Sequence, residues 1–193
     1  MDKQKIIDKY IKTNKNGYII RPACLSDAEN YYLQNYHPLN PEVARLTGSK
    51  KQYTKDEVIS FFTESVNAPD RYHFLIISPD NQIIGESVIN EMDHKIKSAN
   101  FRICIFHQEA QGNGIGTWAI KVTRDFAFET LKLHRLSLDV FSFNKRAEKA
   151  YLNAGFKTEG VLRDAILDGK TYADDILMSI LENEWIEIKQ KEV

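Results

Sequence analysis

Apolar residues alternate with polar ones in several stretches of the chain and recur every three to four positions in others. GYIIRPA (17–23), HFLIIS (73–78), QIIGESVINEM (82–92) and HRLSLDVF (134–141) carry strand patterns, and SANFRICIFH (98–107) is apolar enough for a central strand. VLRDAIL (161–167) and KTYADDILMSIL (170–181) flank Asp168-Gly169, a hairpin signal. Helices are expected near 27–36 and 55–67, where Ser26 with Glu29 and Thr54 with Glu57 match the capping box. Ile115, Trp118, Ala119, Val122 and Phe126 fall at helical spacing, and Asn144 opens a helix that Gly155 can close. HPLNPEVARLTGSKKQY (37–53), with its two prolines, reads as loop. Residues 1–16 read as an arm or short helix with a weak apolar pairing at Ile6, Ile7, Tyr10 and Ile11, and 183–193 as a polar tail or helix. One domain over 17–182 is expected, mixed α/β with mostly antiparallel neighbours.

Composition narrows the function. A chain of 193 residues that is 42% hydrophobic can bury a full core without disulfide support. With 26 basic and 27 acidic residues the net charge is −1, so no global field draws it to nucleic acid or an anionic membrane, and any anion site must be local. Cys24 and Cys104 form no CxxC pair and have no histidine at zinc spacing; both are expected to be reduced, buried thiols. No stretch has the apolar run of a signal peptide or a membrane span, which fits a cytoplasmic protein. The five histidines form no metal motif.

QEAQGNGIGTWAIK (108–121) leaves the expected central strand through three alternating glycines and enters a helix. Such a loop presents backbone amides at a positive helix end, and the missing Cβ atoms let a phosphate or pyrophosphate approach. It is no Walker loop, because Gly116 is followed by Thr117-Trp118, and it lacks the glycine at 115 or 117 that the dinucleotide fingerprint needs. The pattern that stands is QxxGxG, Gln111 to Gly116. A tight turn without ligand is the other use of such a loop. Farther on, Asn144 and Tyr151 are spaced by two helical turns, roughly 10.5 Å along one face, the reach of an extended ligand arm.

QxxGxG on a strand-to-helix loop, followed by NxxAxxxY, a Gly-Phe strand start and a closing Asp-Gly hairpin, resembles the GNAT superfamily of acetyl-coenzyme A-dependent N-acetyltransferases, in its ribosomal-protein N-terminal (RimJ/RimL type) and polyamine branch. The resemblance spans about 17–182. It implies the GNAT acyl-CoA N-acyltransferase fold: a central, mostly antiparallel sheet of about seven strands flanked by helices, with central strands that splay to admit the cofactor. It also implies that Gln111, Gly112, Asn113, Gly114, Ile115, Gly116 and Thr117 hold the coenzyme A pyrophosphate. The backbone of Cys104, Ile105 and Phe106 would pair with the pantetheine arm, Asn144 would hydrogen-bond that arm, and Tyr151 would face the sulfur.

The implied reaction is direct acetyl transfer from acetyl-CoA to a primary amine, without metal or covalent enzyme intermediate. An amine attacks only when neutral, so a carboxylate or a relayed water must take its proton, and a tyrosine hydroxyl can protonate the leaving thiolate. Asp139, on the strand running into Asn144, is the first candidate base, ahead of Glu91 and Glu86. Glu86 and Glu91 face opposite sides of a regular strand, so only one can look into the site. Glu86 and Asn100 are candidates for holding the acceptor; Asn100 stands where several relatives carry glutamate and cannot itself be the base. Glu42, Glu57 and Glu64, in the 27–67 region expected to set specificity, are candidate attractors for a cation or ordinary surface acids. The acceptor is left open between a peptide N-terminus and a small-molecule amine, and the assembly between monomer and homodimer. The other functional class is an acyl-CoA-binding regulatory or interaction module that has lost turnover; the presence of both Asn144 and Tyr151 argues against it.

Overall fold

The computed structural model describes residues 6, 7 and 10–192. Among them, β1 (Lys12–Thr13), β2 (Ile19–Pro22), β3 (Tyr72–Ile77), β4 (Ile83–Asp93), β5 (Ser98–Ile105), β6 (Arg135–Phe141), β7 (Lys157–Asp168) and β8 (Thr171–Leu181) form one sheet in the order β1-β2-β3-β4-β5-β6-β8-β7. All neighbours are antiparallel except β5 and β6. The strand beyond the expected seven is the two-residue β1, too short to show a period. Part of the expected N-terminal arm lies outside the described residues. Of the rest, Ile7 is buried in the core and the Tyr10 ring packs on Phe74 and Phe126.

Among the described residues, helices α1 (Ala28–Asn35), α2 (Pro41–Thr47), α3 (Lys55–Asn67), α4 (Ile115–Glu129), α5 (Lys145–Asn153) and α6 (Glu182–Glu192) cover the sheet. The alternation of side chains along each strand sends apolar residues to two cores. Phe74, Ile76, Ile89 and Phe101 meet Ile115, Ala119, Phe126 and Tyr151 on one face, whereas Leu75 and Ile77 meet Tyr31, Val43 and Phe62 on the other. Helices α1–α3 therefore form one layer and α4–α6 the opposite one.

Helix α2 corrects the reading of 37–53 as loop. Asn40 Oδ1 accepts from the amides of Glu42 and Val43, Pro41 sits at the first helical position, where its missing N–H costs nothing, and Gly48 closes the helix at φ 65°. The proline taken as a breaker is a start signal. The Thr54–Glu57 capping box forms as expected. The Ser26–Glu29 box does not: Asp27 Oδ2 instead accepts from the Cys24 amide at 2.9 Å, one short 3-10 turn (Leu25–Asp27) earlier, and Glu29 pairs with Lys55. That turn also leaves Cys24 exposed, contrary to the expected burial, while Cys104 is half-buried.

Two features of the sheet position the site. Gly85 lets β4 and β5 approach closely, since a Cβ there would lie 2.5 Å from the Cys104 carbonyl oxygen. Strands β5 and β6 pair only through Ser98–Arg135, Ala99–Leu136 and Asn100–Ser137. Beyond Asn100 they diverge, β5 staying with β4 up to Ile105 and β6 staying with β8 up to Phe141.

Candidate active site

The divergence of β5 and β6 opens a cleft of about 390 Å³ that runs through the sheet and is lined from both layers. On the α4–α5 side the lining includes Gln111, Gly112, Gly114, Gly116, Thr117, Asn144, Arg146, Lys149 and Tyr151. On the α1–α2 side it includes Tyr36, Leu39, Val43, Leu46, Glu86 and Arg102.

The glycine loop is shaped for an anion. Gly114 is the N-cap of α4 at φ 79°, Gly112 stands at φ 82°, and neither has an atom within 4 Å of where a Cβ would be. The first-turn amides of Ile115, Gly116 and Thr117 have no carbonyl one turn behind them within the helix. Gln111 Nε2 donates to the Ile105 carbonyl at 2.8 Å and pins the loop to the end of β5. Asn144 Oδ1 caps α5 by accepting from the Ala147 amide at 3.2 Å, and no partner for its Nδ2 is recorded among the described residues. Exposed Arg146 and Lys149, in the first and second turns of α5, add positive charge to the same wall. Their spacing with Asn144 and Asn153 was present in the sequence, though only Asn144 and Tyr151 stood out there.

The free edge of β5 complements this loop. The Phe106 amide donates to Ile84, so in this antiparallel register the backbone groups of Cys104 also turn toward β4, whereas those of Phe101, Ile103 and Ile105 face the gap. Of the expected backbone partners of an extended arm, only Ile105 is on the open edge; Cys104 and Phe106 turn toward β4, and Ile103 is the neighbouring residue whose backbone faces the gap. Tyr151 is 6% exposed at the gap, with its ring against Phe101 and Phe156. Burial, reinforced by Cys104 and Asp139, pushes its hydroxyl pKa well above the ordinary phenol value, so the group stays protonated.

A family model for the acetyltransferase (GNAT) domain matches residues 18–157. The chain belongs to the GNAT acetyltransferase family. It is 26% identical over 167 residues to the probable N-acetyltransferase YjcK of Bacillus subtilis, covering 84% of this chain and 92% of that one. It is 31% identical over 111 residues to the spermidine N(1)-acetyltransferase of Escherichia coli, covering 58% of this chain and 59% of the relative. Among solved structures, the spermidine N-acetyltransferase of Vibrio cholerae in complex with CoA and spermine superposes with a TM-score of 0.79 at 24% identity, over 90% of this chain and 99% of that one. The ribosomal-protein-S5-alanine acetyltransferase of Vibrio fischeri superposes with a TM-score of 0.74 at 21% identity, over 92% and 99%. The GNAT chain is thus an acetyl-CoA-dependent N-acetyltransferase, and the reading as a non-catalytic acyl-CoA-binding module gives way to transfer.

The candidate carboxylates are distributed differently from the sequence ranking. Glu86, ranked last, lines the cleft and is largely buried. Its Oε2 accepts from the Tyr31 hydroxyl at 2.7 Å, and His73 Nε2 lies 3.0 Å away. The Tyr31 hydroxyl is also 3.2 Å from that of Tyr36, a cleft residue. Burial works to raise the Glu86 carboxyl pKa, but His73, Tyr31 and Arg102 together outweigh it and hold the group below its ordinary value. Asp139 lines the cleft from β6 but is exposed.

Glu91 is not part of the cleft. The register of β4 against β5 shifts between Asn90 and Asp93, Glu91 stands at φ 53°, and it lines a separate hollow with Phe61, Glu64 and Arg71. Asn100 also stays outside the lining, its Nδ2 donating to Asn90 Oδ1 at 3.1 Å beside the last β5–β6 pair. Asn113 and Ile115 belong to the loop, yet the Asn113 side chain donates to the Glu109 carbonyl and the Ile115 side chain is core, leaving only their amides for an anion. Among the described residues no cluster of His, Cys, Asp or Glu is arranged to hold a metal, and no helix is long and apolar enough to cross a membrane.

Proposed function

We propose that the catalytic unit spans 17–182, that Tyr151 is the acid, and that Glu86 takes the proton of the attacking amine. The observation that carries this is the gap between β5 and β6, which joins a glycine loop fit for a pyrophosphate on one layer to Glu86 on the other, with Tyr151 at its edge. Acetyl-CoA lies with its phosphates on the amides of residues 111–117 beside Arg146 and Lys149, and its arm on the open edge of β5 next to Asn144.

The amine enters from the α1–α2 side. Glu86, ionised at neutral pH and held by the Tyr31 hydroxyl, draws the ammonium, accepts its proton directly or through water, and later releases that proton to solvent. The neutral amine nitrogen bonds to the acetyl carbon, the carbon–sulfur bond breaks, and Tyr151 gives its proton to the sulfur and regains one from solvent. An outward amide of Ile103 or Ile105 polarises the carbonyl oxygen. The acceptor is a small-molecule or peptide amine and the site of action the cytoplasm; similarity to relatives named for spermidine and ribosomal acetylation supports the acceptor class.

Release of coenzyme A thiol over a panel of amines tests the reading. Tyr151→Phe, which removes only a hydroxyl, is expected to lower kcat by about 10² to 10⁴ with little change in acetyl-CoA affinity. A folded variant at the parental rate overturns the assignment of Tyr151.

A further inference from the structure

The acceptor side of the cleft holds a cation, Arg102, whose part in the transfer chemistry above is only to help keep Glu86 ionised. Arg102 projects from β5 onto the α1–α2 face, on the same face as Cys104 and diagonal to Glu86, since Val88 pairs with Arg102 and Glu86 with Cys104. It is exposed, and among the described residues no carboxylate comes within ion-pair distance of it. It sits three residues before the end of β5, roughly 10 Å up the strand from where the phosphate loop begins, so it is badly placed to serve that loop.

The acids that would draw a polycation into this region are neutralised outside the cleft. Glu29 pairs with Lys55, Glu42 with Arg45, and Glu57 with Lys50, while Glu64 lines the separate hollow. The carboxylates that remain in the lining are Glu86 and Asp139, on either side of the gap, and Arg102 shares that lining with apolar Leu39, Val43 and Leu46. Two carboxylates and one guanidinium match a molecule that carries both charges. A second ammonium on the acceptor would meet Arg102 and be repelled; a carboxylate would meet a planar fork of donors suited to it.

Resting on the transferase reading above, we propose that the acceptor is a small amine that also bears a carboxylate, its ammonium drawn by Glu86 and Asp139 and its carboxylate held by Arg102. Arg102 is thereby the residue that separates such acceptors from polyamines.

The test measures kcat/KM by coenzyme A release for α-amino and ω-amino carboxylic acids, each beside its carboxamide, and for putrescine, spermidine and spermine. Expected is a preference of about tenfold to a hundredfold for the acid over its amide, the range of one charge-assisted hydrogen-bonded contact, and weak turnover of the polyamines. Arg102→Gln should bring the acid-to-amide ratio close to one, mainly through KM. Arg102→Lys should restore part of it, and Arg102→Glu should shift preference toward the polyamines. Because acid and amide need the same base, a general disturbance of Glu86 does not move their ratio. Preference for polyamines in the parent, or an acid-to-amide ratio that Arg102→Gln leaves unchanged, overturns the inference while the transferase reading stands. Absence of turnover with every amine of both charge classes overturns the transferase reading and the inference with it.

Discussion

The Tyr31 hydroxyl donates to Glu86 Oε2 at 2.7 Å, joining helix α1 to strand β4 across 55 residues of sequence. Tyr31 is fully buried and packs its ring on Phe62, so the donor is held in place by the same core that seats α3 on the sheet. The carboxylate proposed to meet the acceptor is therefore oriented by the packing of the helical layer, so a change in that packing should reach the chemistry.

Glu86→Gln keeps an acceptor for Tyr31 but removes the charge and the proton site. It should lower kcat at neutral pH by about 10² to 10³, within the range of general-base catalysis, and recover part of the loss at alkaline pH, where more of the amine is already neutral. Tyr31→Phe removes one donor to the ionised carboxylate, so it should move the acid limb of the kcat profile to higher pH with a smaller loss at the optimum. Rate–pH profiles check both. A Glu86→Gln enzyme with parental rate and profile moves the proton to Asp139 or to bulk water.

What the sequence showed and what it hid follow from the range of the interactions. Gly112, Gly114 and Gly116 lie within one loop, and Asn144 and Tyr151 on one helix and its cap, so their spacing carried the reading. Glu86 was ranked last because its neighbours Tyr31 and His73 come from α1 and β3, and because alternation alone could not say which face of β4 looks into the gap. Glu91 was ranked above it for want of the register shift that places it in another hollow. Ile103 escaped notice because only the hydrogen bond from Phe106 to Ile84 fixes which amides of β5 point outward. Arg102 was one exposed cation among many until the ion pairs around it were known. Helix α2 was hidden by counting Pro41 as a breaker without asking whether Asn40 could cap it.

Gly116 offers a cleaner probe of the proposed phosphate loop than its neighbours. Gly112 and Gly114 adopt positive φ, so any side chain there strains the backbone as well as filling the cradle. At Gly116 the φ is ordinary for a side chain, and an added Cβ would meet Ile105 Cγ1 at 3.9 Å, an ordinary contact. Gly116→Val should therefore fold with nearly parental thermal stability while weakening coenzyme A binding roughly a hundredfold, about 2.7 kcal/mol. Gly116→Ala should fall between the two. Titration calorimetry with coenzyme A reads the affinity, and parental binding by a folded Gly116→Val variant removes the loop from the cofactor site.

Asp125 governs stability on the far side of the sheet. Its Oδ1 accepts from Arg124 Nε at 2.9 Å, Arg124 Nη2 at 2.7 Å and Trp185 Nε1 at 2.9 Å, and its Oδ2 from Lys189 Nζ at 3.0 Å. Arg124, 1% exposed, donates in turn to the Ala154 carbonyl at 2.6 Å, so one carboxylate links α4 to α6 and, through the arginine, to the end of α5. Burial works to raise the Asp125 carboxyl pKa, but Arg124, Trp185 and Lys189 prevail and hold it below the ordinary aspartate value. A folded-state pKa below the unfolded one gives stability that is present above the unfolded value, about 3.9, and is lost as the pH falls through the folded value. Asp125→Asn replaces the charged acceptor shared by Arg124, Trp185 and Lys189 with a neutral one and should cost about 3 kcal/mol at pH 7, the low end for breaking a buried pair. That corresponds to roughly 6 to 12 °C in Tm for a domain of this size. Because the parent alone loses this contribution in acid, the gap between the two Tm values should narrow below about pH 4. A constant gap from pH 7 to pH 3 would assign the loss to packing around Trp185 instead of to the charge.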